Sequence, residues 1–272
     1  MMLNLFSIEY FKIKRTRFFW ILSSFYLLCL LLFGYGSKLL MDYLGSSLGD
    51  FNQLSQLGAV TTNVLYDFTD LWHNLSYIAG YLKFVLAFIL IISVSNEFTY
   101  KTVRQNIMDG MSRTQWLKSK WSLILLLACG STLFLFLFGL FLGFLYSPVQ
   151  GLEYIFFNIE MLFGHFISTI AYLSLALLAT LWIKKSGFTM AVLILYGHFI
   201  EPIFSLIYSD ELGFVRNLLP FEAVSNIIRV PFGKYIFQET QNYIALQDLS
   251  IVLVLIVLVN FLSIRLVQKS DF

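Results

Sequence analysis

Long apolar runs recur six times along the chain, and the polar residues gather between them. The runs are Phe18–Ser37, about 72–96, Trp121–Tyr146, Met161–Ile183, Gly187–Tyr208 and about 248–267. A hydrocarbon core of about 30 Å is crossed by about 20 apolar residues in helical form. Helix is the form required, because lipid leaves no water to satisfy an unpaired backbone N–H or C=O. The pattern therefore predicts an all-α, polytopic membrane fold with six transmembrane helices. Two runs are interrupted by charge, the second by Lys83 and the fifth by Glu201. No internal repeat, low-complexity stretch or linker divides the chain, so residues 1–272 are read as one domain.

The segments between the runs have patterns of their own. Residues 1–17 mix Leu5, Phe6, Ile8, Tyr10, Phe11 and Ile13 with Lys12, Lys14, Arg15 and Arg17, which suits an amphipathic helix lying in a headgroup region. Between runs two and three, Thr99–Met108 has helical character that Asp109–Gly110 can end. Ser112 then serves as N-cap of a helix leading into run three. Leu54, Leu57, Val60, Val64, Leu65, Phe68 and Leu71 recur at roughly helical spacing before run two. The stretch LGFVRNLLPFEAVSNIIRVPF, before run six, is apolar but broken by Pro220 and Pro231, which predicts short helices resting on or dipping into the bilayer.

Composition agrees with the pattern. The chain is 58% apolar and 12% charged, against roughly 25% charge in soluble domains. A water-soluble fold of 272 residues could not hide that much apolar surface. The net charge of +2 gives no support to nucleic-acid binding. The placement of the charges is more informative than their sum. With the N-terminus inside, most basic residues fall on the inner side: Lys12 to Arg17, Lys101, Arg104, Arg113, Lys118, Lys120, Lys184, Lys185, Arg265 and Lys269. The positive-inside rule then puts both termini in the cytoplasm. The basic N-terminus followed by an apolar run resembles a secretory signal. The run is too long for an h-region and no small-x-small site follows it, so it reads as a retained anchor.

Chemistry-bearing residues are sparse. Cys29 and Cys129 lie inside apolar runs and read as packing residues, with no metal-ligand spacing. His73, His165 and His198 do not cluster, so neither a metal site nor a catalytic constellation is expected. Lys83 is expected to snorkel toward the outer surface and His165 to be a packing histidine. His198 and Glu201, one turn apart and followed by helix-breaking Pro202, could line a translocation path or simply reach the outer headgroups. Gly139-x-x-x-Gly143 allows close helix approach, within the subunit or between two subunits.

The segment NEFTYKTVRQNIMDGMSRTQWLKSK resembles the region between the second and third spans of type-2 ABC-transporter permeases, the exporter-type membrane subunits. In that family a Glu ends span two, a Thr follows on a transverse helix, an Arg comes next, and a Lys enters span three. Glu97, Thr102, Arg113 and Lys120 stand in those places, and Gly110–Met111–Ser112–Arg113 matches the small-x-Ser-Arg turn. Lys101 stands where the family commonly has Gly, and the family's Pro before the Ser–Arg pair is absent. The stretch IEYFKIKRTRFFWIL resembles the family's connecting helix, and the six-span plan extends the resemblance over nearly the whole chain.

The resemblance implies a permease subunit of an ATP-driven exporter in the inner membrane of a bacterium. Such a subunit pairs with a second permease copy, identical or not, and with two cytosolic ABC ATPase subunits. Glu97, Thr102, Arg104, Arg113 and Lys120 are then the ATPase-coupling residues. The chain itself is expected to be no enzyme and to bind no cofactor, with ATP and Mg on the partner ATPase. In keeping with that division, no GxxxxGK[ST] phosphate loop occurs, and the pair Gly233–Lys234 is followed by Tyr235. The alternative is a non-ATP-driven transporter or a membrane scaffold. A secondary transporter would show two related halves and discontinuous helices, neither of which the sequence displays.

Overall fold

The computed structural model describes residues 2–47, 66–147, 151–207, 217–231 and 243–270. Helices follow one another throughout: α1 (Met2–Lys14), α2 (Arg17–Ser47), α3 (Phe68–Tyr81), α4 (Lys83–Thr99), α5 (Thr102–Met108), α6 (Arg113–Tyr146), α7 (Leu152–Ile155), α8 (Glu160–Ile183), α9 (Ser186–Leu195), α10 (Glu201–Ile207), α11 (Pro220–Asn226) and α12 (Leu246–Lys269). No strand occurs among the described residues. Five segments are long and apolar enough to cross a membrane, and α3 with α4, bent by 43°, make a sixth if counted as one broken span. The described residues are thus all-helical apart from turns, in the architecture of a multi-pass membrane protein.

Helix α8 is the axis of the bundle and packs against α3, α4, α6, α9 and α12. Small residues make this possible: Gly164, Ser168, Ala171, Ser174, Ala176 and Thr180 are all buried along it. The outer faces of α2 and α12 remain exposed and apolar, with Trp20, Ile21, Phe25, Leu32, Val254, Val257 and Phe261 among them. In a bilayer those faces lie against acyl chains, where their exposure carries no hydrophobic penalty.

Two ends of the bundle are chemically distinct. At one end α1, the α4–α5–α6 junction, the α8–α9 turn and the end of α12 converge. Lys184 lies over the Phe98 ring at 5.5 Å, and the Arg113 guanidinium donates to the Gln268 carbonyl at 2.5 Å. At the other end, Trp72 Nε1 donates to the Ile155 carbonyl at 2.7 Å, Asn158 donates to the Thr69 carbonyl, and Arg229 pairs with Asp248 at 3.1 Å. The basic residues of the orientation argument therefore share one end of the molecule.

Several boundaries differ from expectation. Helix α2 continues ten residues past Ser37 to Ser47. The helix expected from Thr99 starts at Thr102, because Tyr100 and Lys101 form a tight turn with Lys101 at φ 56°. Ser112 caps α6 as expected, in a full capping box with Gln115. Span five is interrupted by a π-turn at Tyr196–Ile200, where the Glu201 N–H reaches the Tyr196 carbonyl five residues back. Pro202 explains the wider turn, since it has no N–H to donate to His198. Helix α11 begins at Pro220, a position where the missing N–H costs nothing. The helical spacing over 54–65, and the parts of the Pro-broken stretch at 212–216 and 232, lie outside the described residues.

Candidate functional site

At the basic end, four charged side chains from three helices meet, and three of them are buried. Lys120 of α6 is fully buried and donates to Glu97 Oε1 at 2.5 Å and to Glu9 Oε1 at 2.6 Å. Glu97, the last charged residue of α4, also accepts from Trp116 Nε1 at 2.6 Å and from Lys12 of α1. Glu9 accepts in addition from the Ser119 hydroxyl at 2.9 Å. Lys120 lies 5.5 Å from the centre of the Trp116 ring, which stands edge-on to Phe98. Two carboxylates and two ammonium groups balance, and each buried charge has an opposite charge in direct contact. That is the condition under which burial of ions is tolerable. The cluster ties α1 to the α4 and α6 ends that flank α5.

The local sequence explains the convergence. Glu9 and Lys12 are three apart and share one face of α1. Trp116, Ser119 and Lys120 recur three and four apart on α6, whose register is set by the Ser112 cap. Between them α5 is a two-turn connection. Val103 is buried, while Arg104, Gln105 and Met108 are exposed. The left-handed turn at Lys101 lets the chain reverse between α4 and α5, and Gly110 at φ 98° does the same between α5 and α6. Thr102 donates weakly to the Glu97 carbonyl at 3.4 Å, holding the start of α5 against the end of α4. Lys101 and Arg104 line a groove of about 450 Å³ with Lys184 and Lys185 of the α8–α9 turn.

The five residues expected in ATPase coupling thus divide. Glu97 and Lys120 are brought together, but inside the protein, where they meet each other. Thr102 is half-buried at the start of α5, Arg104 is exposed, and Arg113 is engaged with the end of α12. Sequence reasoning missed Glu9 and Lys12, and Trp116 and Ser119 with them. The available signal was Glu9 itself, an acid in a segment otherwise basic and apolar.

His198 and Glu201 are engaged by different neighbours. Glu201 is buried and accepts from the Glu222 backbone N–H at 2.6 Å, which secures α11 to α10. His198 stands edge-on to Phe84 at 6.2 Å and borders a cavity with Glu222. Gly139 faces Trp72 and Gly143 faces Phe68, both on α3, so the glycine pair is occupied by packing within the chain. His165 is buried with Nε2 2.9 Å from the Ser131 hydroxyl, which also meets the Tyr26 hydroxyl at 2.6 Å. Lys83 departs from expectation: it does not reach outward but is buried, with Nζ 3.1 Å from the Ser168 hydroxyl. Lys83 is the first residue of α4, immediately after the 43° bend at Leu82. No group of three or more His, Cys, Asp or Glu that could hold a metal occurs among the described residues. No protein-family model matches the chain, and no curated protein matches it significantly.

Proposed function

We propose that this chain is the permease subunit of an ATP-driven exporter, working with a second permease and two cytosolic ABC ATPase subunits in a bacterial inner membrane, both termini cytoplasmic. The observation that carries the reading is the construction around α5. A two-turn helix with exposed Arg104 and Met108 joins two spans whose ends are locked together by buried ion pairs. Tyr100 and Met108 are 71% and 69% exposed at the basic end, beside Lys101 and Arg104. Basic and apolar side chains side by side, away from the apolar belt, suit a protein partner. A force applied to α5 passes to α4 and α6 together, since the Glu97–Lys120 contact couples them.

The left-handed turn at Lys101 adds support. The permease family places Gly where this chain has Lys101, and the backbone there takes the conformation that Gly adopts most easily. The coupling roles of Glu97 and Lys120 are accordingly indirect: they hold α5 in place and do not touch the ATPase. Arg104 is the residue of the five that faces outward free to contact it.

The test is purification of the chain from its native membrane. A cytosolic ATPase should accompany it, and the ATP turnover of the complex should fall when 102–108 is replaced by a Gly-Ser sequence. Unchanged association and unchanged turnover would end the proposal. One observation favours a second reading, a non-ATP-driven transporter. The broken span at Leu82 and the π-turn at Tyr196–Ile200 are discontinuous helices that border one cavity, as such transporters show. Robust transport by the chain alone, in vesicles without ATP, would select it.

A further inference from the structure

A cavity of about 330 Å³ lies where α3 and α4 meet the π-turn and α11. Its volume is at the low end of ligand pockets, which run from about 300 to 1,000 Å³. Aromatic and aliphatic side chains form most of its wall. Tyr77 and Tyr81 stand edge-on with their hydroxyls 2.6 Å apart, and Phe221 packs on Tyr172 at 5.4 Å between ring centres. Val224 and Ile228 complete the apolar side.

Three polar groups on the wall are left short of partners. Lys83 is 6% exposed and, among the described residues, meets the Ser168 hydroxyl and no carboxylate in ion-pair contact. The Tyr172 hydroxyl and the Ser76 hydroxyl are buried and have no hydrogen-bond partner among the described residues. A buried ammonium without a counter-ion is costly, and buried hydroxyls are ordinarily paired. The one carboxylate on the same wall, Glu222, is engaged by Ser205 at 3.1 Å. The remaining titratable neighbour on the wall, apart from the tyrosines, is His198. Contrast the basic end, where every buried charge is balanced by a neighbour.

We infer that this cavity binds a small organic anion, a carboxylate or phosphate monoester on an apolar body the size of one ring or a short chain. The anionic oxygens supply the counter-charge that Lys83 lacks and accept from the Tyr172 hydroxyl. The apolar body lies along Phe221, Val224 and Ile228. The inference stands on the cavity and does not depend on the ATP-driven reading.

The probe is radiolabelled octanoate, offered to the purified full chain immobilised from maltoside micelles. Binding should saturate and be displaced by unlabelled octanoate or octyl phosphate, but not by octanol. Lys83→Met should weaken binding at least tenfold while melting no lower than the parent, because it removes a charge with no counter-charge. Tyr172→Phe should weaken it about threefold, and it keeps the test decisive if Lys83→Met fails to fold. Non-saturating uptake, displacement by octanol as good as by octyl phosphate, or parental affinity in Lys83→Met or in Tyr172→Phe would overturn the inference. Equal displacement by inorganic phosphate would overturn the apolar half of it.

Discussion

Replacing Lys120 by Met tests the cluster most directly. Met keeps the length and apolar stem of Lys but removes its charge. Lys120 is the bridge of the cluster, 2.6 Å from Glu9 and 2.5 Å from Glu97 and completely enclosed. Without it, Glu9 loses its cation and Glu97 keeps only Lys12, whose side chain is 39% exposed. Removing one partner of a buried pair costs about 3–5 kcal/mol, because the other charge remains buried. For a chain above 150 residues, each kcal/mol moves the midpoint by about 2–4 °C, which gives a fall of roughly 6–20 °C. Lys12→Met removes only a solvent-screened partner and should cost about 1 kcal/mol or less. The assay is thermal unfolding of purified protein in maltoside micelles, followed by tryptophan emission. The Lys120→Met, Glu97→Gln cycle should show a coupling of about 0.5–3 kcal/mol, with the double variant more stable than the two single losses added. Lys120→Met within about 0.5 kcal/mol of the parent would refute the argument that these charges hold α1, α4 and α6 together.

Other predictions rest on separate features. Lys101→Gly should stabilise the chain by about 1 kcal/mol, since φ 56° strains a residue with a Cβ; chemical denaturation with an unchanged slope is the measure. Gly139→Ala places a Cβ 2.5 Å from the Trp72 ring, whose Nε1 is fixed to the Ile155 carbonyl; overpacking should cost about 1–3 kcal/mol, read as a lowered melting point. Ser112→Ala removes the capping box of α6 and should cost about 1 kcal/mol by the same measure. With Cys29 and Cys129 replaced by Ala, a cysteine at Arg104 should react with an impermeant thiol reagent in inside-out vesicles and not in intact cells. The opposite result would place α5 on the wrong face for any cytosolic partner.

The elements that were legible in the sequence are those set by local patterns. Apolar runs gave the spans, the Asp109–Gly110 stop gave the end of α5 and Ser112 the start of α6, because capping and turn chemistry depend on residues within four positions. The charge cluster was half legible. Glu97 and Lys120 were singled out by resemblance. Glu9 is 111 residues from Lys120, and nothing local says that a carboxylate on an interfacial helix will turn inward. Lys83 was misread for the same reason. Its expected escape to the surface assumed a straight span, whereas the span is broken at Leu82 and the side chain beside the break is buried; a one-residue break leaves no mark in a hydropathy pattern. Likewise Gly139 and Gly143 announced close packing, but only the three-dimensional arrangement supplies Trp72 and Phe68 as the side chains that use it.

The two buried lysines make the same physical point from opposite directions. Lys120 carries its counter-charges with it, supplied by two other helices, so its burial ties parts of one chain into a fixed arrangement. Lys83 is buried to a similar degree yet, among the described residues, meets only a hydroxyl, and it lines the cavity. A charge satisfied from within resists motion, since separating the helices would leave it unpaired in a low-dielectric interior. A charge left unsatisfied gains most from something that arrives from outside. On this argument the basic end is the rigid part of the molecule and the cavity beside the Leu82 break is the receptive one. Substitutions that neutralise should therefore act oppositely: Lys120→Met lowers the melting point, while Lys83→Met leaves it unchanged or raises it. Two losses of similar size would mean that Lys83 is also satisfied internally, and the distinction between the two ends would fail.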